Sequence, residues 1–92
     1  MLTVTATTPA ESFAAIANLK VGDVLKVPGH RARITVTEID TRFNRSFPII
    51  RTTGNTDDGC TLTACYIGGG FDFSPYYKAK GTHFNTFTVF PA

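Results

Sequence analysis

The feature that most constrains this chain is alternation. Thr3-Val4-Thr5, Thr35-Val36-Thr37, Thr61-Leu62-Thr63 and Thr86-Phe87-Thr88 each set an apolar residue between two threonines. Successive side chains on a strand point to opposite faces, so such a run buries one side and wets the other. Fifteen threonines, most of them beside Val, Ile, Phe or another Thr, extend this β-branched signal over the whole sequence. Ninety-two residues suffice for one domain spanning 1–92. The fold class read from these patterns is mostly β: a small barrel or rolled antiparallel sheet of SH3-like or OB-like size, with one short N-terminal helix.

The helix signal is local. Thr8-Pro9-Ala10-Glu11 reads as a capping box with Thr8 as N-cap, Pro9 at the first helical position and Glu11 at the third. Phe13, Ile16 and Leu19 recur at threes and predict a helix over 9–19 with one apolar stripe, ended by Gly22. Strands are predicted over 21–27, 31–41, 47–53, 60–67 and 84–90, with a further N-terminal strand around Val4. Pro28-Gly29 closes the first of these, and Gly54 to Gly59 reads as a polar hairpin loop. Alternation assigns Val21, Leu25 and Val27 to the core, then Ala32, Ile34 and Val36, then Leu62, Ala64 and Tyr66. Gly68-Gly69-Gly70 reads as a break in the sheet, and the following Phe71-Asp72-Phe73-Ser74-Pro75 as an aromatic, proline-stopped loop.

Composition excludes several classes. No apolar run approaches the ~20 residues of a membrane-spanning helix. The stretch Met1 to Thr5 lacks the basic region and apolar block of a secretory signal, so an intracellular, cytoplasmic location is expected. Cys60 and Cys65 lie five apart, on opposite faces of a continuous strand, which predicts two free thiols. With only His30 and His83 as nitrogen donors and no CxxC pair, the spacing predicts no metal site. Cysteine, histidine and aspartate supply the residue types of nucleophilic catalysis without a local signature, and the glycine run lacks the lysine and the helix of a phosphate loop. A non-enzymatic domain without cofactor is expected.

The segment from Val21 to Gly29, continuing through Ile34 to Ile39, resembles the KOW element of SH3-like barrels, which occur in ribosomal and transcription-associated proteins and often touch RNA. It departs from that pattern at Arg31, Ala32 and Arg33, where the element carries a second glycine.

The remaining constellation interleaves cations with aromatics. Arg31 and Arg33 share the wet side of one strand, Arg42, Phe43 and Arg45 lie in the next connection, and Tyr77 and Lys78 in a third. A positive groove with rings to stack on bases is how single strands are held. The leading expectation is therefore a contact with single-stranded nucleic acid or RNA by Arg31, Arg33, Arg42, Arg45 and Lys78 to phosphates, with Phe43 and Tyr77 stacking. Arginine and aromatic residues also anchor protein interfaces. The alternatives are a small protein-binding inhibitor or adaptor, of the phage or mobile-element kind that docks on a host protein, and a structural role in virion assembly. An exposed strand edge would allow self-association.

Overall fold

The computed structural model describes residues 1–28, 33–42, 45–53, 60–75 and 82–92. In chain order the elements are β1 (Leu2–Thr5), α1 (Pro9–Ala17), β2 (Val24–Lys26), β3 (Ile34–Asp40), β4 (Ile49–Thr52), β5 (Cys60–Ala64), β6 (Phe71–Pro75), β7 (Thr82–Phe84) and β8 (Thr86–Phe90). They join into one antiparallel sheet in the order β1-β8-β2-β3-β4-β5-β6-β7, curled into a half-barrel with β1 and β7 at its two edges. The chain is mostly β with one short helix, and the rolled sheet is the form its alternation takes.

Alternation predicts Leu25, Val27, Ile34, Val36, Leu62 and Ala64 as core residues, and all six are buried. Leu25, Ile34, Val36, Ile50, Leu62, Phe71, Phe73, Phe87 and Val89 all point into the half-barrel and are buried. Helix α1 lies across that hollow against β5 and β1, contributing Ile16 and, just past its end, Leu19. Four rings fill the centre: Phe71 meets Phe87 edge-on at 4.9 Å, and Phe84 lies 6.2–6.4 Å from Phe71, Phe73 and Phe87. Edge-to-face pairs of this kind add to the burial of the rings themselves.

The helix starts where the capping box places it. Thr8 Oγ1 accepts from the Glu11 amide at 3.2 Å. Glu11 Oε1 returns the favour to four donors, the amides and hydroxyls of Thr7 and Thr8, at 3.1–3.2 Å. These bonds, the Thr7 amide foremost, hold the Glu11 carboxyl below its usual range. Thr8→Ala removes the cap and is expected to cost ~1 kcal/mol in urea unfolding; an unchanged midpoint would mean that the cap contributes nothing.

Three local readings are corrected. Phe71 to Pro75 is strand β6, not a loop, and the glycine run before it is the tight connection between β5 and β6, closed by the Cys65 amide donating to Gly70 O at 2.9 Å. Tyr66 is exposed because β5 ends at Ala64 and the chain turns before the alternation reaches it. Val21 is likewise exposed, while Asp23, which interrupts the apolar pattern, is buried. Its carboxylate accepts from the amides of Lys20 at 2.9 Å and Ala92 at 3.1 Å, so it ties the entry of β2 to the C-terminal residue. Pro28-Gly29 is described only as far as Pro28, and Ala32 and the Gly54–Gly59 loop lie outside the described residues. Among the described residues no helix is long and apolar enough to cross a membrane.

Candidate functional site

Three of the seven residues singled out from the sequence, Arg33, Arg42 and Arg45, fall among the described residues; Arg31, Phe43, Tyr77 and Lys78 lie outside them. The three do not behave alike.

Arg42 is committed to its own strand. In β3 the pairing with β4 skips from Val36↔Thr52 to Glu38↔Arg51, which leaves Thr37 as a bulge. One extra residue reverses the parity beyond it. Ile39 therefore packs on the core, and Glu38 and Asp40 join Arg51 on the outward side. Without the bulge, Asp40 would follow Ile34 and Val36 into the apolar interior. Instead two arginines cover it. Arg42 grips both carboxylate oxygens, Nε to Oδ1 at 3.0 Å and Nη2 to Oδ2 at 2.8 Å, and its amide adds a third bond at 3.0 Å. Arg51 donates to Oδ2 from Nη2 at 2.9 Å and from Nε at 3.2 Å. Glu38 stands 3.9 Å from each guanidinium, so two cations and two anions cancel.

The hydrogen bonds from Arg42, and after them those from Arg51, hold the Asp40 carboxyl far below its ordinary value. A carboxyl depressed on folding stabilises the protein above its unfolded value of ~3.9, and that contribution is lost as the pH falls through the folded value. Thermal unfolding is thus expected to lose stability steadily below about pH 4, and Asp40→Asn to start lower and fall less over the same range. Parallel curves for the two proteins would contradict this.

Arg33 points outward next to β2 and lies over the Phe90 ring, its guanidinium carbon 4.1 Å from the centroid. Phe90 is opposite Val24, and Lys26 opposite Thr88. The β2–β3 register, carried one residue beyond Leu25↔Ile34, sets Lys26 beside Arg33. Thr3, Thr5, Thr86 and Thr88 continue the same face, with Thr3 opposite Thr88 and Thr5 opposite Thr86, whose hydroxyls are 3.1 Å apart. Strands β1, β8 and β2 carry no Asp or Glu, and the acidic residues of β3, Glu38 and Asp40, lie toward its far end with Arg42 and Arg51.

A second exposed cluster lies where the β3–β4 connection meets the turn after β5. Phe47 packs edge-on between Phe13 at 5.5 Å and Tyr66 at 5.7 Å. Tyr66 and Ile67 are 65% and 75% exposed, which makes this the most open apolar surface of the described turns. Arg45 is exposed two residues before Phe47.

The third arrangement is invisible in the spacing. Thr63↔Asp72 and Asp72↔His83 are direct register pairs across β5, β6 and β7. They bring Cys65, Asp72 and His83 onto one outward face, with a donor atom from each within 4.8 Å of the other two. His83 Nδ1 and Asp72 Oδ1 are 3.0 Å apart, and the Cys65 thiol donates to Ile67 O at 3.0 Å. Neither cysteine forms a disulfide; Cys60 lies in the core and Cys65 is half-buried.

No protein-family model, curated protein or solved structure matches this chain, so the KOW-like segment carries no family assignment.

Lys26 and Phe90, which flank Arg33, were not singled out by the sequence. What joins them to it is the antiparallel pairing of the last strand with β2, and no local pattern encodes that pairing. Cys65, Asp72 and His83 had a readable signal in the Phe71-Asp72-Phe73-Ser74 alternation, which places Asp72 outward once β6 is taken as a strand.

Proposed function

We propose that this domain is a binding module that holds single-stranded nucleic acid on the outward face of β8, β2 and β3, without a chemical step. The observation that carries this reading is the Arg33 guanidinium stacked on Phe90 beside Lys26, on a face whose acidic residues, Glu38 and Asp40 of β3, are already paired with Arg42 and Arg51. A stacked guanidinium is pre-organised and keeps its N–H edge for a phosphate oxygen, and the ring and guanidinium planes suit a base face. The threonine hydroxyls around them supply neutral donors to the backbone. Arg42 drops out of the proposed contact set because Asp40 and Glu38 neutralise it. Arg31, Arg45 and Lys78 stay in the set of cations read from the sequence, and Phe43 and Tyr77 in its set of rings; of these only Arg45 falls among the described residues.

The test is a fluorescence-anisotropy titration of a short single-stranded oligonucleotide at several salt concentrations. Affinity is expected to fall steeply with salt, with each lost phosphate contact lowering the logarithmic slope by ~0.7. Lys26→Ala with Arg33→Ala should remove about two such contacts. Binding indifferent to salt would sink the proposal.

A second reading rests on the Phe13–Phe47–Tyr66 cluster with exposed Ile67 and nearby Arg45, a composition that suits the anchor of a protein partner. In that reading the domain is an inhibitor or adaptor docking on another protein. Tyr66→Ala would then abolish capture of that partner while leaving oligonucleotide affinity unchanged.

A further inference from the structure

We propose that Cys65, Asp72 and His83 bind one borderline divalent cation of the zinc type. Three neighbouring strands converge on this point, from just past the end of β5, near the start of β6 and at the middle of β7, and they offer one sulfur, one oxygen and one nitrogen donor. That mixture suits zinc or cobalt(II). Magnesium and calcium take oxygen ligands almost alone.

The geometry is close to what such an ion needs. Zinc bonds of ~2.0–2.3 Å set neighbouring donors roughly 3.3–3.6 Å apart in a tetrahedron. Here the three donors lie within 4.8 Å, with the His83–Asp72 pair already at 3.0 Å. Asp72 and His83 are half-exposed, so their side chains have open space in which to turn toward a shared ion.

The backbone is shaped to the same end. Gly70, at φ +81°, closes the turn after Cys65, and a Cβ there would stand 2.7 Å from His83 Nε2. Glycine suits the positive φ there, and a larger residue would push the imidazole from its present place beside Asp72. A thiolate, a carboxylate and a neutral imidazole around a divalent ion sum to zero charge, and binding releases the thiol proton now donated to Ile67 O. Three protein ligands leave the fourth position to water or an outside ligand, the pattern of an open site rather than a structural one.

Cobalt(II) added to the reduced 92-residue chain is the test. One equivalent should bind with a thiolate-to-cobalt charge-transfer absorption, zinc should displace it, and excess magnesium or calcium should not. Cys65→Ser should abolish the absorption, and His83→Gln and Asp72→Asn should each weaken zinc binding by at least about ten-fold. Cys60→Ser, which alters a core thiol, should leave it intact, and circular dichroism of every variant confirms the fold. Absence of the band in the wild-type chain, its survival in Cys65→Ser, or unchanged zinc affinity in His83→Gln would overturn the proposal.

Discussion

Phe71→Ala is expected to cost about 3–5 kcal/mol, the range for truncating a buried phenylalanine. Its side chain has no exposed surface and is in ring contact with Phe84 and Phe87. These rings come from β6, β7 and β8, so one deletion opens a cavity where both ends of the curled sheet meet the centre. Domains of this size hold only about 5–15 kcal/mol in total, so the loss is a large fraction of the whole. The chain has no tryptophan, so urea unfolding is best followed by far-ultraviolet circular dichroism. Phe90→Ala, on the outward face, should lose far less. A loss below ~1 kcal/mol for Phe71→Ala would show that the ring cluster does not organise the core.

Gly69→Ala is expected to be nearly as damaging for a different reason. Gly68, Gly69 and Gly70 all have φ near +80°, where a side chain costs ~1–2 kcal/mol. At Gly69 a Cβ would also stand 2.6 Å from the Thr7 carbonyl carbon and 2.7 Å from Thr8 N. Backbone cannot swing aside as a side chain can, so overpacking adds a further ~1–3 kcal/mol. The β5–β6 turn thus rests on the N-cap of α1, and the two should loosen together. Gly68→Ala is the control: its Cβ would meet nothing within 4 Å, which leaves conformational strain alone. Equal losses at Gly68 and Gly69 would remove the steric contact from the explanation.

How much of this was legible follows from the range of the interactions. The capping box needs residues within one helical turn, so Thr8 and Glu11 could be read directly. Inward faces needed only alternation, and Ile34, Val36, Leu62 and Ala64 were read correctly for that reason. Strand ends are harder, because alternation continues in the sequence after the chain has turned; Val21 and Tyr66 were misassigned in this way. Strand β6 was hidden by its flanks, a glycine run and a proline, although Phe71 and Phe73 alternate with Asp72 and Ser74 as cleanly as any other strand. The bulge at Thr37 carries no sequence mark, and it decides that Asp40 meets Arg42 and Arg51 outside the core. The stack of Arg33 on Phe90 depends on which strand the last one joins. Sheet order is a property of the whole chain.

The most direct measurement is a titration of isotope-labelled protein with a short mixed-sequence single-stranded oligonucleotide, followed amide by amide in nuclear magnetic resonance spectra. The expected result is a set of shifts on Lys26, Arg33, Thr86, Thr88 and Phe90 that fades as salt is raised, with Phe47, Tyr66 and Ile67 unmoved. Unchanged spectra at low salt, or shifts gathered around Phe47 and Tyr66, would contradict nucleic-acid binding on the outward face of β8, β2 and β3.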